Sequence, residues 1–282
     1  MKEPPILSAR NLRVGYGGVP ILRDLSLEVP KNRISIIIGP NACGKSTLLK
    51  TFGGFIKPVS GGVFLKGESI REIPSKNLAR LLGFLPQSPM APEGLVTADL
   101  VGRGRFPHQR FWRAWTQEDY RAVAEALETL GLLALADKKV EELSGGQRQR
   151  VWIALALAQE TDILLLDEPT TFLDLAHQIA ILDQLTLLNR RCGTTMVMVL
   201  HDINLAARYG DYIFALKKGA LITEGPPEKA ITKEIIREVF NLDCLVIPDP
   251  VYGSPLIIPK GQLKIQKEGQ KGSEETPSEA RT

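Results

Sequence analysis

The chain has 282 residues, 44% hydrophobic and 24% charged, with 35 Lys and Arg against 32 Asp and Glu for a net charge of +3. That is ample apolar content for a core, while so mild a charge gives no argument for nucleic-acid binding, which usually shows clustered Lys and Arg. Cys43, Cys192 and Cys244 are odd in number and far apart, so neither a disulfide framework nor a zinc site fits and a reducing cytosol is expected; no apolar run nears the ~20 residues of a membrane helix, and the opening MKEPPILSAR has no apolar export signal.

In chain order, ILSARNLRVGY and ILRDLSLEV alternate in short pieces around Gly17-Gly18 and predict antiparallel strands added at one edge. RISIII (33–38) is an uninterrupted apolar run, as are ILLL (163–166) and TMVMVL (195–200). Such runs suit strands covered on both faces, hence a parallel sheet in an α/β fold. The stretch 88–160, between two of these strands, reads as an inserted helical subdomain. Within it Thr116 and Asp119 resemble a capping box, and Tyr120, Val123, Leu127 and Leu130 recur at helical spacing. Leu175, Ile179, Leu182, Leu185 and Leu188 predict a further helix, and 224–263 a short helix plus strands. From Lys264 the chain is rich in Lys, Glu, Gly and Ser without aromatics, which predicts a disordered tail. No internal repeat occurs.

Residues 39–46, GPNACGKS, match G-x-x-x-x-G-K-[ST] between a strand and the helix KSTLLKTF. Backbone N–H groups of such a loop close around the β- and γ-phosphates of a nucleotide. Lys45 adds a point charge, and the Ser46 hydroxyl can ligate Mg²⁺. Cys43 reads as a small residue that fits the loop rather than as an oxidation-sensitive thiol. The strand ILLLDEP ends in Asp167 and Glu168. Alternation turns the two carboxylates apart, so one can serve the metal while the other, Glu168, acts as general base on an attacking water. Downstream of the loop, LSGGQ (143–147) feeds an apolar helix. A Ser-Gly-Gly turn at a helix start is a second anion site, which the hydrolysis of one ATP does not require.

At this point the sequence resembles the ATP-binding subunits of ABC transporters, over roughly residues 6–225. The resemblance implies a P-loop NTPase fold with a RecA-like mixed sheet core, an antiparallel β subdomain and an inserted α-helical subdomain. It makes residues 1–263 a single ATPase domain, with its core in 1–87 and 161–225, the helical subdomain in 88–160, an extension in 226–263 and a tail in 264–282. It implies that Gly39, Pro40, Asn41, Ala42, Cys43, Gly44, Lys45, Ser46 and Thr47 hold ATP, with Tyr16 stacked on adenine. Ser144, Gly145, Gly146 and Gln147 would bind the γ-phosphate of an ATP held by a second copy, giving a head-to-tail dimer with two sandwiched nucleotides. Gln87 would touch magnesium and water and report to the membrane subunits, Asp167 would complete the metal shell, the loop around Asp174 would cross the dimer interface, and His201 would contact the γ-phosphate. His108, His177 and His201 show no metal-ligand spacing.

The segment 101–115 is basic and carries Phe106, Phe111, Trp112 and Trp115. Such a segment can bind nucleic acid or another protein, or be a partly buried loop of the helical subdomain; given the resemblance, the expected partner is a cytoplasmic helix of a membrane permease, and no nucleic acid. GRFPHQ, EPTTFLDLAHQ and HDINLAARY look like importers of iron–siderophore complexes, with relatives that carry haem or vitamin B12. The implied place is the cytoplasmic face of the plasma membrane, with a substrate-binding protein acting indirectly. Soluble ABC ATPases that move no solute are the alternative. Translation-associated members carry two units per chain and chromosome-maintenance members long coiled coils, and neither pattern is present here.

Overall fold

A computed structural model describes residues 5–109, 114–171 and 173–261. The chain runs β1 (Leu7–Tyr16), β2 (Val19–Val29), β3 (Ile34–Ile38), α1 (Lys45–Phe52), β4 (Ser60–Leu65), β5 (Glu68–Ser69), α2 (Ser75–Leu81) and β6 (Leu82–Leu85). Next come α3 (Thr97–Gly102), α4 (Gln117–Thr129) and α5 (Gly145–Ala158), then β7 (Ile163–Asp167), α6 (Leu175–Cys192), β8 (Thr195–Val199) and α7 (Ile203–Tyr209). The described chain closes with β9 (Tyr212–Lys217), β10 (Ala220–Gly225), α8 (Pro227–Ala230), α9 (Lys233–Phe240), β11 (Cys244–Pro248) and β12 (Pro255–Pro259). The tail expected from 264 onward lies outside the described residues.

The central sheet has the order β10-β9-β3-β8-β7-β6. β3 pairs in parallel with β8 and β9, β7 pairs in parallel with β8 and β6, and β10 returns antiparallel at the edge. Every residue of β3, β7 and β8 is buried, as their uninterrupted apolar runs require. Successive side chains face opposite layers: Ile34, Ile36, Leu164, Leu166, Met196 and Met198 join the helices α3 to α7, and Ile37, Ile163, Leu165, Val197 and Val199 join α1 and the antiparallel strands.

That second layer corrects the expectation for the first thirty residues. β1 and β2 do form an antiparallel hairpin, but with β4 and β5 they make a separate sheet of order β2-β1-β4-β5. Both sides of β3 are taken by β8 and β9, and the hairpin's single apolar face (Leu7, Leu12, Leu22, Leu25) is buried by lying across the main sheet and α1. The helical patterns hold with one amendment each. The Thr116–Asp119 capping box starts α4 and Val123, Leu127 and Leu130 are buried, but Tyr120 is exposed and instead packs on Trp115, ring centroids 5.0 Å apart. Leu182 and Leu185 anchor α6 while Leu175 points to solvent.

The basic segment 101–115 is in part a buried piece of the helical subdomain. Phe106 is exposed, Trp115 packs over Gly102, and Arg105 is buried; Phe111 and Trp112 lie outside the described residues. Arg105 donates to Asp119 Oδ1 at 3.0 Å, Glu160 Oε2 at 2.7 Å and the Ala158 carbonyl at 2.8 Å, tying the starts and ends of three helices together. Burial tends to raise the Asp119 carboxyl, but hydrogen bonds from the Thr116 backbone and Arg105 outweigh it and hold it below its ordinary value. Arg105→Met leaves that carboxylate buried without its cation and is expected to cost about 3–5 kcal/mol in a urea titration. Because the folded value is depressed, the stabilisation is present above ~pH 3.9, the unfolded value of Asp, and lost as pH falls through the folded one.

Candidate functional site

The phosphate loop follows from the end of β3. Gly39 has φ 152°, and a Cβ there would lie 2.3 Å from the Leu216 carbonyl oxygen of β9, so no other residue fits. Ala42 (φ 59°) and Gly44 (φ 106°) turn the chain into the N-terminus of α1, whose first turn carries no acidic side chain. The loop is braced from two sides: the Gly219 N–H donates to the Cys43 carbonyl at 3.0 Å, and Leu22 of β2 packs where a side chain at Gly44 would be. Tyr16 closes β1 and is exposed. Cys43 is buried, and burial pushes its thiol above the ordinary value, which keeps it an inert small side chain.

Lys45 Nζ donates to the carbonyls of Gly39 at 2.8 Å and Pro40 at 3.0 Å, so the ammonium is folded over the loop. Ser46 Oγ donates to Asp167 Oδ1 at 2.8 Å and links the first turn of α1 to the end of β7. Asp167 is 1% exposed and its Oδ2 has no hydrogen-bond partner among the described residues. Burial pushes its carboxyl above the ordinary range, against the Ser46 bond. A buried carboxylate with one orphaned oxygen beside a hydroxyl is a hard-oxygen set that fits Mg²⁺, and the charge of such an ion would remove the burial penalty.

Glu168 faces a different way, and not for the reason expected. The strand ends at Asp167, and Glu168 takes φ 53°, a left-handed conformation that costs a non-glycine residue about 1–3 kcal/mol. This kink, rather than strand alternation, turns its carboxylate towards three donors or ring nitrogens. Gln87 Nε2 donates to Oε2 at 2.5 Å, Thr171 Oγ1 donates to Oε2 at 3.0 Å, and His201 Nε2 lies 2.5 Å from Oε1. Gln87 follows β6 and His201 follows β8, the strands flanking β7, so the sheet order itself assembles the cluster. Thr171 escaped the sequence reading; its only signal was its place three residues after Glu168 in EPTT.

The Ser-Gly-Gly turn of LSGGQ (143–147), the signature turn, stands elsewhere. Ser144 caps α5: its Oγ accepts from the Gln147 N–H at 3.3 Å while Gln147 Oε1 accepts from the Ser144 N–H at 3.0 Å. On its far side the turn meets α6: Gly146 abuts the His177 ring, which Asp174 Oδ1 holds at 2.8 Å. His177 was missed by the sequence reading except as a histidine unsuited to metal. His108 bonds the Gln159 carbonyl at 2.8 Å, and among the described residues no three His, Cys, Asp or Glu side chains gather as a metal site.

A middle strand that empties into a glycine-rich loop and helix, with a carboxylate from the next strand but one bonded to that helix's first hydroxyl, places the chain among the P-loop ATPases. Residues 22–171 match the profile of the ABC transporter family, and the chain belongs to that family. It is 48% identical to the achromobactin transport ATP-binding protein of Dickeya dadantii, over 93% of this chain and 97% of the relative. It is 46% identical to the ferric enterobactin transport ATP-binding protein of Escherichia coli, over 91% and 94%. Among solved structures, the dimeric post-hydrolysis state of the ATP-binding cassette MJ0796, bound to ADP and Pi, superposes with a TM-score of 0.69 at 30% identity, over 78% of this chain and 98% of that one. The protein is thus an ATP-binding ABC ATPase, and no helix among the described residues is long and apolar enough to cross a membrane.

Proposed function

We propose that the chain powers the import of iron(III)–siderophore complexes, as a homodimer on the cytoplasmic face of the membrane beneath its permease, with a substrate-binding protein acting indirectly. The observation that carries this reading is near-full-length kinship with ATP-binding proteins of ferric enterobactin and achromobactin transport, over 91% and 93% of the chain. Residues 1–263 serve as one cassette, and exposed Phe106 with the surface near Gln87 meets the permease.

In this reading residues 39–47 wrap the β- and γ-phosphates and Tyr16 stacks on adenine. Ser46, Asp167 and Gln87 would hold Mg²⁺, which when bound neutralises charge on the phosphate oxygens. Glu168 takes the proton of the attacking water, aimed by Gln87 and Thr171, and His201 reaches the γ-phosphate. The Ser144 cap uses the hydroxyl oxygen as acceptor, and its O–H has no acceptor among the described residues. Together with the Gly145 and Gly146 N–H groups and Gln147, that O–H receives the partner's nucleotide.

The test is uptake of labelled ferric siderophore by cells lacking the gene, complemented with wild type or Glu168→Gln. Uptake restored by wild type alone is expected. Unchanged uptake of several ferric siderophores in the deleted cells would overturn the iron cargo and turn the search to haem and vitamin B12.

A further inference from the structure

Gly146 has ordinary helical geometry at the second position of α5, yet a Cβ built on it would meet the His177 ring at 3.2 Å (Cδ2) and 3.5 Å (Nε2). Cα–Cβ bonds lean towards a helix's N-terminus, so the imidazole fills the space over the signature turn that a side chain there would occupy. Its other edge is fixed: Asp174 Oδ1 lies 2.8 Å from Nδ1 and also accepts the His177 backbone N–H at 2.9 Å. Those two contacts, the backbone one first, hold the Asp174 carboxyl below its ordinary value. The short chain between Glu168 and Asp174 is strapped to the same two helices. Gln149 of α5 donates to the Pro169 carbonyl at 2.9 Å, and Gln178 of α6 donates to the Leu173 carbonyl at 3.1 Å. At its start, Thr171 grips the Glu168 carboxylate.

The geometry points to His177 as a positioning residue for hydrolysis: wedged between Asp174 and Gly146, it holds the signature turn in register with the segment that carries the general base. A phosphate seated at one chain's signature then acts on the aim of Glu168 in the same chain. This rests on the head-to-tail reading above, because only there do the signature and Glu168 of one chain serve different nucleotides.

The experiment is a double-mutant cycle on the purified full-length chain, measuring ATP hydrolysis for wild type, His177→Ala, Gly146→Ala and the double variant. Each single variant is expected to lose at least tenfold in kcat. The double variant should lose less than the product of the two, because the new methyl occupies the space the ring vacates. Binding of a fluorescent ATP analogue at the phosphate loop should stay within twofold in His177→Ala, which separates positioning from general damage. A His177→Ala kcat within twofold of wild type, or losses that simply multiply, would overturn the proposal. In parallel, Glu168→Gln with His177 intact is tested for ATP-dependent dimerisation. If no dimer forms, the head-to-tail reading fails and takes this proposal with it; a dimer together with an unaffected His177→Ala removes the proposal alone.

Discussion

Glu168→Gln is expected to abolish turnover while ATP still binds, and to trap an ATP-dependent dimer visible by size-exclusion chromatography. Gln matches Glu in volume, and the side chain is nearly buried at 6% exposure, so the pocket keeps its shape. What changes is chemistry. The carboxylate accepts from Gln87 and Thr171 on Oε2, whereas an amide has one oxygen to accept with and no basic site. The loss of a general base is typically worth ~10²–10⁴ in rate. The phosphate loop, Lys45, Ser46 and Asp167 are untouched, so affinity for ATP is retained. Hydrolysis within tenfold of wild type would remove Glu168 from its role.

Ser144→Arg is expected to be as damaging to turnover, for a different reason. The loss of the N-cap costs the helix only ~1 kcal/mol, and α5 is anchored by buried Val151, Ile153 and Ala154, so the fold survives. A long cation across the turn blocks the partner's nucleotide, while ATP still binds at the chain's own loop. The decisive measurement mixes Ser144→Arg chains with Lys45→Ala chains, each inactive alone. In a two-fold dimer, one composite site of the mixed pair joins an intact loop to an intact signature. Random pairing makes half the dimers mixed with one working site of two, so activity should return to roughly a quarter of wild type if the sites act independently. No recovery on mixing would show that loop and signature do not meet between chains.

Local residue patterns carried much of this structure, and the losses have identifiable causes. β3, β7 and β8 were legible because strands covered on both faces need unbroken apolar runs. The loop 39–46 was legible because its glycine and lysine spacing has few other uses. The placement of the first hairpin was not, since alternation says that one face is buried but not against what. Tyr120 and Leu175 obey the helical period yet face solvent, because periodicity marks a face and not its ends. The turn of Glu168 away from Asp167 depends on a left-handed backbone at a residue that seldom adopts one, and no local pattern announces it. Thr171 and His177 owe their places to contacts with Glu168 and Gly146 that exist only once the chain is folded.

The C-terminal hairpin β11–β12 is seated by its buried Cys244 and Ile257 and is also gripped through its main chain by α7. Asn204 donates to the Ile257 carbonyl at 3.2 Å and accepts the Ile257 N–H at 2.7 Å, with Arg208 bound to Asp249 at 2.7 Å. An amide side chain that grips a strand in this way does not read which residue the strand carries. The hairpin's outward positions, Leu245, Ile247 and Ile258 among them, are therefore free to drift over evolutionary time without unseating it. α7 begins two residues after His201. A lineage could thus remodel the far surface of this extension while leaving the nucleotide chemistry at its base undisturbed.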